Sequence, residues 1–152
     1  MSSPTLAEII DYLHDTVFVS VPGLAQRNEA GEVINLLQYE PRVIHTSPVL
    51  YTLLDKFDRD TSGQVTAMKY RLLHRMVFQW QDNAESEAAM LGYVHSVPHA
   101  LDLDPTLGGM LAKGLARISD AQSGFVVISN TKYRCLDFFS SITSKAPYRS
   151  GI

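Results

Sequence analysis

The chain has 152 residues, about the length of one domain. Apolar residues make up 45% and charged residues 19%, which excludes a disordered tail; a chain of this size buries roughly 68–70% of its unfolded surface and needs no disulfide or metal to fold. A formal net charge of −3 argues against a general nucleic-acid binder, and the single cysteine, Cys135, excludes an internal bridge.

Ser3 as N-cap and Pro4 at the first helical position predict a helix over 4–19. Leu6, Ile9, Ile10, Leu13 and Val17 form its apolar face, and Pro22-Gly23 stops it. No leader is expected, because Met1–Pro4 runs directly into this amphipathic pattern with Glu8 and Asp11. Residues 23–48 read as a partly extended connection at a sheet edge, with a turn at Ala30-Gly31 and a short strand within Val33–Tyr39. Val49–Phe57 and Gln64–Gln81 read as the arms of a hairpin, with the turn at Asp58-Arg-Asp-Thr-Ser-Gly63.

The second arm alternates. Met68, Tyr70, Leu72, His74, Met76, Phe78 and Trp80 share one face, and Lys69, Arg71, Leu73, Arg75, Val77 and Gln79 share the other. The first face is core, with Phe78 and Trp80 expected beneath the next helix. The second face is half apolar, so part of it needs a cover. Asp82 and Glu85 form a capping-box signature for a helix over 83–96, with Ala84, Ala88, Leu91 and Val94 inward and Pro98 ending it. Strands are expected at Leu111–Ser119, Phe125–Ser129 and Lys132–Thr143, with turns at Asp120–Gly124 and Asn130-Thr131. The predicted fold is α+β: one domain over 1–152, a twisted, mostly antiparallel sheet with helices 4–19 and 83–96 on one face, and an exposed tail at 144–152.

Candidate chemistry is sparse. Asp58-x-Asp60-x-Ser62-Gly63 begins like a calcium loop, but the twelfth position, where a bidentate Glu is needed, is Lys69. The stretch therefore reads as a polar hairpin tip. His95 and His99 have metal-ligand spacing with Asp102 and Asp104 nearby, but Pro98 stands between them. His74 on the core face reads as a hydrogen-bonded structural histidine, and Cys135 as a small buried hydrophobe. Neither has an identifiable catalytic partner in the sequence. No nucleophile elbow, phosphate loop or dinucleotide fingerprint occurs, and no catalytic residue, metal or cofactor is expected. The Lys69, Arg71, Arg75 row lacks aromatics on its own face and reads as solvated or paired with acids.

The charge is divided unevenly. Residues 1–112 carry 7 Lys+Arg against 14 Asp+Glu, a balance of −7, and residues 113–152 carry 6 against 2, a balance of +4. Internal pairing accounts for such a split, and so does a subunit with unlike sides that associates head to tail.

Several pieces, in order, resemble the tail terminator (tail-completion) proteins of long-tailed bacteriophages. They are Ser62-Gly-Gln-Val-Thr-Ala-Met-Lys-Tyr-Arg71, Leu73-His-Arg75, Trp80-Gln-Asp-Asn83, Glu85 with Glu87, Val97-Pro98, Leu101-Asp102-x-Asp104-Pro-x-Leu-Gly108, Ala116-Arg-Ile118, Gly124-Phe125, Tyr133-Arg134 and Lys145-Ala-Pro147. The resemblance covers 48–147 and implies a virion protein at the head-proximal end of the tail, assembled in the host cytoplasm as a homohexameric ring. It implies contacts with the tail tube protein and with a head-side connector or stopper. Double-stranded DNA would pass through the lumen without sequence readout, and no membrane is involved. The resemblance also fits another neck or head-completion protein of the same particle. Interface candidates are the tip, Asp58, Arg59, Asp60, Thr61, Ser62 and Gly63, and the interface- or lumen-facing row Lys69, Arg71 and Arg75.

Overall fold

Thr5, not Ser3, opens the first helix. In the computed structural model, which describes residues 4–60, 65–79, 83–111 and 114–147, Thr5 is extended and Glu8 sits three residues on. The Thr5 hydroxyl accepts from the Glu8 N–H, and the Glu8 carboxylate accepts from the Thr5 N–H, each at 3.2 Å. This reciprocal pair satisfies two orphan donors at once, so Pro4 precedes the helix. Helix α1 spans Leu6–Tyr12, widens into one π turn over Leu13–Val17, and tightens to a 3₁₀ turn over Phe18–Ser20. The irregular turns bring Leu13, His14, Val17 and Phe18 all to the buried side.

Five strands follow: β1 Leu36–Leu37, β2 Val49–Asp60, β3 Val65–Phe78, β4 Ala116–Ile128 and β5 Thr131–Pro147. They lie in the order β1-β2-β3-β5-β4. Only the short β1–β2 pair is parallel; the other three pairs are antiparallel. The fold is α+β, as the sequence predicts. All fourteen residues of β3 pair with β5, from Val65 opposite Pro147 to Phe78 opposite Arg134. The 23–48 segment does run at the edge, and buried Asn35 organises it. Its side chain accepts from the Gln26 N–H and donates to the carbonyls of Leu24 and Pro48.

Four strand or turn boundaries differ from expectation. Asp58–Asp60 continue β2 and pair with Lys69, Met68 and Ala67; the register sets Asp58 opposite Lys69, and unlike charges at opposite positions favour a ladder over a turn. Asp120–Gly124 is not a turn, because β4 runs through it with a bulge between Ile118 and Asp120; polar residues suit an edge strand as well as a turn. The turn after β4 is Ser129-Asn130, both at positive φ (48° and 66°), the pattern of a two-residue hairpin loop. Residues 144–147 are not tail but the end of β5, with Ser144 buried.

Helix α2 spans Asn83–Asp102 and passes through Pro98. Proline costs a helix interior about 3 kcal/mol, but Val97, Ala100 and Leu101 on either side are buried, and their packing holds the next turn in place. The inward face also differs. Met90, Tyr93, Val97, Ala100 and Leu101 are buried, whereas Ala84, Ala88, Leu91 and Val94 face solvent. Apolar residues lie all round this helix, so periodicity does not choose the face. Both helices cover one side of the sheet and share its main core with Leu50, Tyr70, Leu72, Met76, Phe78, Leu136, Phe138 and Ile142. Phe78 lies under α2 against Tyr93, at 6.2 Å between ring centroids; Trp80 lies outside the described residues. On the other side, Ile44 from the edge segment packs with Val49, Tyr51, Val77 and Ile128 and supplies the expected cover.

The stretch before β4 returns to the sheet at Gly114. A Cβ there would lie 1.7 Å from the Thr143 carbonyl oxygen. Gly114→Ala is therefore expected to push residues 114–115 off β5 and break the 2.9 Å bond from Thr143 N–H to the Leu115 carbonyl. The cost is about 1–3 kcal/mol, read as a lower urea midpoint with unchanged slope.

Candidate assembly surface

The tip residues Asp58, Arg59 and Asp60 are exposed at the end of β2, while Thr61, Ser62 and Gly63 lie outside the described residues. Lys69 is exposed beside them on β3. The rest of the cationic row is not free. Arg75 bonds Asp137 through both Nε and Nη2, at 2.8 and 2.9 Å, and Asp137 is buried. This two-pronged pairing, more than offsetting burial, raises the Arg75 pKa and keeps the guanidinium charged. Arg71 stands between Asp55, at 3.1 Å, and Asp120, at 3.6 Å, over the Phe139 ring at 4.4 Å. β2 has a bulge between Leu54 and Lys56, and β4 has one between Ile118 and Asp120. These bulges flank β3 from two directions and aim the carboxylates at Arg71. Arg75 is thus a structural ion pair and not an open contact residue. The acids Asp55, Asp120 and Asp137 come from three different strands, so no spacing in the sequence signals them.

The sheet edges are more informative. β4 runs thirteen residues, and no strand among the described residues pairs with its outer side. β1 covers only Leu50 and Tyr51 of β2, and among the described residues no strand pairs with the outer side of Thr52–Arg59 on the opposite edge. Each edge carries large exposed apolar side chains on the helix side of the sheet: Leu54 and Phe57 on β2, 52% and 48% exposed, and Phe125 and Val127 on β4, 51% and 64% exposed. Long open edges with adjacent apolar side chains are templates for pairing with another chain.

The candidate chemical groups are placed as follows. His74 is fully buried and has two partners that the sequence does not reveal. Its Nδ1 lies 2.8 Å from the Thr52 hydroxyl, and its Nε2 lies 2.7 Å from the Ser140 hydroxyl. Thr52 also meets His14 Nε2 at 2.7 Å. Phe18 packs edge-on against both imidazoles. Desolvation lowers the pKa of His14 to about 4 and that of His74 to about 3, with His14 adding repulsion at His74. The four groups form one internal chain, and all four are buried. Burial pushes the Cys135 thiol up to about 11, away from the reactive thiolate. Because α2 continues through Pro98, exposed His95 and His99 do lie one turn apart on one helix, contrary to the break expected there. Among the described residues no group of three His, Cys, Asp or Glu is placed to hold a metal ion, and no helix is long and apolar enough to cross a membrane.

No protein-family model matches the chain, and no curated protein matches it.

The two lowered histidines set a pH dependence of stability. Unfolded histidines titrate near 6.5. Between about pH 6.5 and 4 the unfolded chain therefore binds protons that the folded chain does not, and stability falls as pH falls. The expected slope is about 1.4 kcal/mol per pH unit for each histidine, with no contribution from them above pH 7. Urea midpoints measured across pH 4.5–8 should show it, and His14→Gln should roughly halve the slope below pH 6.

Proposed function

We propose that the chain is a structural subunit that forms a ring at the head-proximal end of a phage tail tube. There it ends tube polymerisation and offers a surface to the head-side connector. The observation that carries this reading is the pair of open edges on opposite sides of one sheet. β2 runs parallel to β5, and β4 runs antiparallel to β5, so the two open edges run in opposite directions. A second copy turned about an axis along the strands then presents its β4 to β2 in an antiparallel sense. The contact is heterologous and repeats until it closes, which is the geometry of a ring and not of a two-fold dimer. It would cover Leu54 and Phe57 of one copy with Phe125 and Val127 of the next. The order and spacing of the pieces over 48–147 supply the tail-terminator reading. The buried histidine chain and the unreactive thiol support a role in assembly over one in catalysis. By this reading the protein resides in the virion, and six copies meet the tube protein and the connector.

The test combines tail morphology with one edge variant. In cells that make the cognate tail tube protein, loss of this chain should give tubes of uncontrolled length that do not join heads. Val127→Lys should leave the thermal midpoint within a few degrees of wild type and abolish the ring in native mass spectra of assembled tails. Tails of normal length in the absence of the chain would refute the reading. So would a closed two-fold dimer in the assembled particle.

A further inference from the structure

The outer edge of β2 changes character abruptly after Tyr51. β1 occupies the outer side of Leu50 and Tyr51, and the Leu50 N–H donates to the Asn35 carbonyl at 2.9 Å just ahead of β1. The Leu50 backbone therefore points outward, and Thr52 and Leu54 follow at two-residue steps. The bulge between Leu54 and Lys56 adds one residue, so the outward set continues with Phe57 and Arg59. Across this bulge Leu54 and Phe57 stand opposite Leu72 and Tyr70, which are two residues apart on β3.

The outer edge of β4 matches this pattern. Ser129 and Asn130, both at positive φ, make a two-residue loop that closes on the bonded pair Ile128–Thr131. Ile128 and Val126 thus turn their backbone groups to β5, and Val127 and Phe125 turn theirs outward. Val127 and Phe125 are two residues apart, the same separation that Leu54 and Phe57 present to a regular strand. All four side chains lie on the helix side of the sheet and are about half exposed. Lys132 and Arg134 lie over the Phe125 ring and leave that half of it uncovered.

We propose that β1 is a register stop for a second copy of the chain, whose β4 pairs with β2 so that Val127 lies opposite Leu54 and Phe125 opposite Phe57. The inference rests on the ring reading and adds the register by which copies join. In this register Ile128 of the incoming copy faces Leu53, Ser129 faces Thr52, and the chain turns back where Leu37 begins to occupy β2 at Tyr51. A slip of two residues toward β1 drives the turn into Leu37. A slip of two residues the other way sets Leu54 against Ser129 and Phe125 against Arg59. A slip of one residue puts the apolar side chains on opposite faces and mismatches the bonding groups. The stop and the two apolar pairs therefore select the same register, and every copy adds with the same geometry.

Cysteine cross-linking in assembled tails tests the register. Within one copy Leu54 and Val127 lie on strands three spacings apart, about 14 Å, out of reach of a disulfide. Leu54→Cys with Val127→Cys should therefore give, on oxidation, a ladder of covalent multimers and no internal bridge. Leu54→Cys with Phe125→Cys, displaced by about 7 Å along the strand, should cross-link about tenfold more slowly. Cys135 is buried, and the wild-type chain serves as its blank. A Gly-Gly insertion between Ser129 and Asn130 should leave the thermal midpoint within a few degrees of wild type. It should lower the yield of rings in native mass spectra about tenfold, because the longer turn meets β1. Rings at wild-type yield from the inserted chain would overturn the stop, and equal or faster linkage through Phe125 would overturn the register. Rings of the cysteine variant without Leu54–Val127 linkage would show that copies meet elsewhere, which sinks this proposal and spares the ring. Absence of rings from the wild-type chain would sink both.

Discussion

His74 is the point through which the fold is tied together. It lies on the central strand with no exposed surface, and an unsatisfied polar group at that depth costs at least a few kcal/mol. Both ring nitrogens must therefore find partners, and the partners come from the two neighbouring strands: Thr52 on β2 and Ser140 on β5. Thr52 passes the bond on to His14, at the π turn that follows α1. One polar chain thus fixes the register of three strands and the position of the N-terminal helical segment on the sheet. The hydrophobic core around it is broad but non-directional; the chain of hydroxyls and imidazoles accepts one arrangement.

The opposite face of the sheet follows different physics. Near β1 it is apolar and lies under the edge segment, where Ile44 packs onto Val77 and Tyr51. Toward the hairpin tip it becomes a set of charges held in place by geometry. Two bulges turn Asp55 and Asp120 toward Arg71, and Arg75 and Asp137 pair across β3 and β5. These pairs consume much of the charge that the sequence spreads over the face. Among the described residues, Lys56 and Lys69 toward the tip and Arg117 and Lys145 on β4 and β5 stay exposed on this face.

The proposed ring depends on the outer edges of β2 and β4, where backbone groups lie beside Leu54, Phe57, Phe125 and Val127. In the proposed ring the folding interactions stay within one copy, and the contacts between copies fall on the sheet edges.

From the sequence alone, alternation of side chains sorted the two faces of β3 correctly, because period-two patterning is imposed by the pleat and does not depend on neighbours. The apolar face of the first helix was legible for the same local reason, as was the edge position of residues 23–48. Local signals failed where two solutions were close in energy. Ser3 and Thr5 both suit a cap, and the Glu8 bond decided between them. α2 is apolar on several sides, and contact with Phe78 chose the face of Tyr93 over that of Leu91. Pro98 is tolerated because buried Val97 and Leu101 hold the turns around it. The candidate site was the least legible part. The partners of His74, Arg71 and Arg75 lie between 16 and 66 residues away in the chain, as does the bond between β5 and the Gly114 loop. Only strand pairing brings such groups within bonding distance, so the tertiary structure alone decided which charges are spent internally and which are left for a partner.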